Sequence, residues 1–209
     1  MLWNEPGGYN AYAPPVHFNQ RVAGQEPALA QLQQIVDQFV IHYDACGSSA
    51  ICFRVLHFDR GLSVHFMLDT DGTIYQTLDL KERAWHATTS NSRSIGIEIA
   101  NIGAFESPND PALMHRPDQP LMKGIVQGQT LYQRDFTPQQ YDALIKLTAA
   151  LHRVFPRIEL QFPPTNQKLP DAQLANYHGV LGHYHIQANK QDPGPAFQWE
   201  RVLAGARQR

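Results

Sequence analysis

Long apolar runs are missing from this sequence. None approaches the ~20 residues needed to span a bilayer, so no membrane insertion is expected. Cysteine is scarce: Cys46 and Cys52, in "DACGSSAICF", are the only two. They form one bridge or remain a pair of buried thiols, and the spacing alone leaves both open. Net charge is also lacking. A formal balance of −2 gives no electrostatic argument for nucleic acid or an anionic membrane as partner. The opening "MLWNEPGGYNAYAPP" has neither a basic n-region nor an apolar h-region, so no signal peptide is visible. No repeat or low-complexity tract stands out. What remains is a globular composition, with 209 residues, 43% hydrophobic and 17% charged. Ten histidines, more than usual for this length, hint at metal or proton-transfer chemistry.

The patterning predicts one domain over residues 26–209, with residues 1–25 as a Pro-, Gly- and aromatic-rich arm packed on it. After Pro27, Leu29, Leu32, Val36 and Phe39 fall near one helical face, leading into "FVIHY", a buried strand ending at His42. In "GLSVHFMLDTDGTIYQ", Leu62, Val64, Phe66 and Leu68 alternate with Ser63, His65 and Met67, and "DTDG" supplies a hairpin turn. "RSIGIEIAN" reads as a strand with Ile95, Ile97 and Ile99 opposite Gly96 and Glu98. Residues 102–135 read as a long loop excursion. Thr137, Pro138 and Gln140 then open a helix with a capping box, stapled by Phe136 and Tyr141, and Pro156 ends it. "GVLGHYHI" reads as a strand and "PAFQWERVLAGAR" as a last helix. The expected fold class is α/β, a central mixed β-sheet with helices on both faces.

Few residues here carry chemistry. His42 ends one apolar strand, His183 and His185 share one face of another, and Asp192 lies on the turn beyond. Two imidazoles and a carboxylate make an open metal site of the hydrolase type, with a fourth position left for water. Spacing does not say whether His183 or His185 is the ligand. Glu98 is the only charged residue in "IGIEIA"; desolvation there raises its pKa, which suits a general acid or base, while a structural ion pair is the bland alternative.

Five fragments carry a resemblance: "VIHYDAC", "LSVHFMLDTDGTIYQ", "AWHATTSNSRSIGIEIAN", "FTPQQYDALIKL" and "GHYHIQANKQDPGPAF". In this order they resemble the zinc-dependent N-acetylmuramoyl-L-alanine amidases, which share a fold with phage amidase-type lysozymes and animal peptidoglycan recognition proteins. The resemblance covers roughly residues 38 to 197. It implies one Zn2+ per chain on His42, His183 and Asp192, with Glu98 and Lys190 catalytic. His86, with Trp85 and Asn91 beside it, falls where relatives line the substrate groove, and His65 is expected near it. His185 stands where an acidic residue is familiar, and is expected to orient a ligand from behind. A short Cys-to-Cys loop in the recognition-protein branch implies a Cys46–Cys52 disulfide, and so an oxidising compartment, periplasmic or extracellular. The implied partner is peptidoglycan or a muropeptide, met by a monomer.

The chain also departs from the family. Tyr43-Asp44 follows the first histidine where a histidine or a threonine-rich turn is common, and Val64 stands where some relatives have a catalytic tyrosine. Two other readings compete: a peptidoglycan-binding module without catalysis, and a zinc amidase or peptidase on another substrate. The complete His42–His183–Asp192 set argues against the first.

Overall fold

The structure is a computed structural model that describes residues 10–11 and 29–209. The arm expected over residues 1–25 therefore lies outside the described residues, apart from β1 (Asn10–Ala11). The backbone of β1 pairs antiparallel with β5 (Glu82–Arg83).

Five strands make the central sheet: β2 (Gln38–Tyr43), β3 (Phe66–Leu68), β4 (Ile74–Gln76), β6 (Ser94–Ile99) and β10 (Gly179–Gly182). Their order is β10-β2-β6-β3-β4, parallel except for β4, which returns antiparallel beside β3. The hairpin falls where "DTDG" predicts it, with Gly72 at φ +89°. Strands buried on both faces read as near-continuous apolar runs, as "FVI" does. For that reason the helical face expected through Phe39 is cut short. Helix α1 (Leu29–Ile35) ends early, Leu29 is exposed, and Phe39 belongs to β2.

One face of the sheet carries Phe39, Ile41, Ile95, Ile97 and Ile99 into a core with Leu144, Leu151, Val202 and Leu203. The last four come from α3 (Pro138–Val154) and α5 (Trp199–Arg207), which pack on each other. The α3 N-terminus forms as its sequence predicts. Thr137 Oγ1 accepts from the Gln140 amide at 3.0 Å, Gln140 Oε1 accepts from Thr137 N at 2.9 Å, and the Phe136 and Tyr141 rings meet edge to face. The other face is covered by α2 (Ser49–Arg54), which runs on as a π-turn over Val55–Asp59, and by α4 (Asp171–Ala175).

Two expectations need correction. Residues 102–135 are not simply a loop. They contain a second, antiparallel sheet of β7 (Ala104–Phe105), β8 (Leu121–Val126) and β9 (Gln129–Arg134), ordered β7-β9-β8, and a 3-10 turn over Pro111–His115. Its prolines and glycines lie mostly in the connections, and they masked the alternating "LMKGIV" and "QTLYQR". Strand β10 also stops at Gly182, and His183–His185 form a single 3-10 turn. His183 and His185 therefore do not share a strand face.

Candidate metal and catalytic site

Parallel strands end together, and side chains at their carboxyl ends open into one crevice. His42 is the penultimate residue of β2 and Glu98 of β6, and the register sets them side by side. His183 begins the turn that leaves β10, the next strand over. The turn folds back so that Tyr184 N donates to Asp192 O at 3.1 Å, which brings the Asp192 carboxylate to the histidines.

Three donor atoms converge there. His42 Nδ1 lies 2.7 Å from Asp192 Oδ2, His183 Nδ1 lies 3.0 Å from the same oxygen, and the two ring nitrogens are 3.0 Å apart. All three residues are buried, and they are the group of ligand-type side chains among the described residues that could hold a metal ion. Inward-facing lone pairs from two imidazoles and a carboxylate fit a divalent ion such as zinc, with the fourth side open. That side faces a cavity of about 360 Å³, lined also by Glu98, Lys190, Trp85, His86, Arg60 and Tyr43.

The electrostatics favour ligation. Burial, reinforced by His183, lowers His42 to about 4, so its ring is neutral near pH 7. Burial opposes ionisation of Asp192, but the two imidazoles outweigh it and hold the carboxyl below its usual range. Glu98 goes the other way. Burial first, then the carboxylates of Asp192 and Asp44, push its pKa well up, and its Oε2 has no hydrogen-bond partner. Asp44, from the unusual Tyr43-Asp44 pair, accepts from the amides of Cys46, Gly47 and Asn101 on one oxygen and folds the loop beside the cavity.

Not every expected residue reaches the cavity. His65 is fully buried, with Nε2 on Glu82 O at 2.9 Å and Nδ1 accepting from Gly96 N at 3.1 Å, so it does not line a groove. Asn91 is turned inward, its Oδ1 accepting from His86 N and Ala87 N. Trp85 and His86 do line the cavity, and His86 also contacts His42 directly, Nδ1 to Nε2 at 2.9 Å. His185 commits both ring nitrogens to backbone, Nδ1 to Gly182 N and Nε2 to Thr165 O. Neither nitrogen is therefore left for a metal, and His185 braces the turn that carries His183.

The expected Cys46–Cys52 disulfide is absent. Both residues are free thiols in side-chain hydrogen-bond contact on the cavity wall. Asp44 and the Ser48 cap of α2 already close this loop, so no covalent tie is needed. Burial, with Glu98 and Asp44 nearby, pushes the Cys52 thiol up and keeps it protonated. The argument for an oxidising compartment goes with the bridge.

The sequence reading missed Gln187, whose Oε1 lies 2.6 Å from His183 Nε2. The available signal was its place four residues after His183, one turn away. It also missed Ser94, whose Oγ lies 3.1 Å from His86 Nε2.

A family model described as N-acetylmuramoyl-L-alanine amidase (Amidase_2) matches residues 31–195. The 1,6-anhydro-N-acetylmuramyl-L-alanine amidase AmpD of Haemophilus influenzae is 26% identical over 155 residues, covering 70% of this chain and 59% of that protein. AmpD of Escherichia coli is 26% identical over 149 residues, covering 67% and 56%. The chain thus spans somewhat over half the length of these relatives. Among solved structures, AmiD from E. coli, in complex with anhydro-N-acetylmuramic acid-L-Ala-D-gamma-Glu-L-Lys, superposes with a TM-score of 0.56 at 23% identity, covering 95% of this chain and 65% of that one. AmpDH3 from Pseudomonas aeruginosa, in complex with anhydromuramic pentapeptide, gives 0.55 at 20% identity, covering 92% and 66%. The mixed sheet, the helices on both its faces and the match over residues 31–195 make one statement: this chain belongs to the N-acetylmuramoyl-L-alanine amidase family, Amidase_2.

Proposed function

We propose that this chain is a zinc-dependent hydrolase that cleaves the amide between the lactyl group of N-acetylmuramic acid and L-alanine, in peptidoglycan or its soluble fragments. The observation that carries the reading is one cavity holding three convergent ligand atoms beside Glu98, a half-buried carboxylate with one unpartnered oxygen. Family membership supplies the substrate class. The anhydromuramoyl peptides bound to AmiD and AmpDH3 support it, since they present the same lactyl–alanine linkage.

His42, His183 and Asp192 would hold the ion. Bound there, zinc supplies Lewis acidity to the scissile carbonyl and lowers the pKa of water. Glu98 takes the proton of the attacking water and returns it to the departing alanine nitrogen. Burial raises its pKa, which makes the carboxylate a stronger base toward the water proton than an exposed glutamate would be. Lys190, on the same cavity wall, offers its ammonium to the oxyanion that forms as the carbonyl is attacked. Trp85 and His86 flank the bound chain of the substrate.

The test is a mass-resolved digest of intact sacculi and of soluble muropeptides, with and without a chelator. The expected products are free stem peptides and peptide-free glycan, lost on chelation and restored by zinc. Intact lactyl–peptide bonds in a protein loaded with one zinc per chain would overturn the reading in favour of a binding module or another amide substrate.

A further inference from the structure

An imidazole offers a metal one nitrogen only if its single proton is held on the other. Both ligand histidines here turn Nδ1 inward, and both have the outer Nε2 engaged. His183 Nε2 faces Gln187 Oε1 at 2.6 Å, and His42 Nε2 faces His86 Nδ1 at 2.9 Å. The carbonyl oxygen of Gln187 only accepts, so it fixes the proton of His183 on the outside.

The His86 side is a longer chain. His86 Nε2 lies 3.1 Å from Ser94 Oγ, a hydroxyl able to receive a proton held there, and in that tautomer Nδ1 accepts from His42. The His86 ring is also seated. A Cβ on Gly96 would stand 2.5 Å from two of its ring atoms, and Asn91 holds its backbone amide at 3.0 Å. A glycine inside an apolar strand often marks such a close approach. The Gln187 backbone is held too, its main-chain carbonyl accepting from Gln127 Nε2 at 3.1 Å and its main-chain N–H donating to His183 O at 3.0 Å.

We propose that Gln187 and His86 are positioning residues that hold His183 and His42 in the tautomer and ring orientation needed to bind the ion through Nδ1. This rests on the metal reading of the site given above, and it adds residues that the ligand set does not include. Groups behind a metal ligand commonly govern affinity by ten- to a hundredfold.

The experiment is a zinc competition titration of the whole chain against a chromophoric chelator, with no substrate present, together with melting of the metal-free protein. Gln187→Ala is expected to weaken zinc by roughly tenfold or more. Gln187→Glu, which can only accept, is expected to bind zinc at least as tightly as wild type. His86→Ala is expected to lose roughly ten- to a hundredfold, and His86→Asn, which restores an acceptor near Nδ1, to regain part of that loss. The metal-free melting temperature should not follow this ranking. The inference is overturned if Gln187→Ala and His86→Ala stay within about twofold of wild type, or if Gln187→Glu is as weak as Gln187→Ala. The wild-type arm is independent: tight zinc binding without amidase turnover would sink the substrate reading and leave this one standing.

Discussion

Two carboxylates, at opposite ends of the same parallel strands, are treated in opposite ways. Asp37 precedes β2 at the amino end and is buried. Arg93 grips it through both oxygens at 2.6 Å, Arg157 adds a third bond at 3.0 Å, and His178 lies 3.7 Å away. Glu98, near the carboxyl end of β6, keeps an oxygen with no partner. A buried charge left short of partners is costly, so folding stability alone favours the Asp37 solution. On the proposed mechanism the missing partner at Glu98 is the useful part, because a carboxylate saturated with arginines is a poor acceptor for the proton of the attacking water.

The contrast can be broken most forcefully at Glu98. Glu98→Gln is expected to lower turnover by about a hundredfold to ten-thousandfold with the zinc content and the melting temperature near wild type. Turnover within a few fold of wild type would remove Glu98 from the chemistry. At the other end, Asp37→Ala should leave turnover per folded molecule unchanged and lower the unfolding free energy by about 3 kcal/mol, read by chemical denaturation. A loss of activity with stability intact would reverse the roles assigned to the two ends.

Acid sharpens the same comparison. Burial lowers His185 to about 4 and His65 to about 3, while unfolded histidines titrate near 6.5. Below about pH 6.5 the unfolded chain takes up protons that the folded chain refuses, so stability is full above that pH and falls toward pH 4. His185 alone contributes a loss of about 3 kcal/mol across that window. Denaturation curves at neutral pH and near pH 4.5 should show the drop, with a shallower one in His185→Gln. A flat wild-type profile would contradict it. The smallest effect belongs to Arg157, whose head group is half exposed. Arg157→Ala should cost about 1 kcal/mol or less, since Arg93 keeps its two bonds to Asp37.

Much of this was legible in the sequence because local physics decided it. The α3 cap, the Gly72 turn and the isoleucine face of β6 follow from patterns a few residues long, and they appear where expected. The positions His42, Glu98, His183 and Asp192 were legible through the order of five fragments, and the fold brings their side chains into one cavity. The β8–β9 hairpin was not, because prolines and glycines in its connections outweighed two short alternations. Roles that depend on ring orientation were hidden as well. His65, His86, Asn91 and Gln187 are polar residues near the same strands, and only their contacts separate a cavity wall from a brace.

The pairing of β10 with β2 has a consequence for how this chain comes to life. Gly179 meets Gln38 and Gly182 meets Ile41, so strands from opposite ends of the described chain must find each other before His42 and His183 meet. Closing so long a loop is entropically expensive and comes slowly compared with helix formation. Until that closure, His42 sits far from His183 and Asp192, and a chain cut before Asp192 lacks one member of the candidate metal group. The proposed metal group is thus assembled only once β10 pairs with β2, which ties its completion to the topology of the sheet.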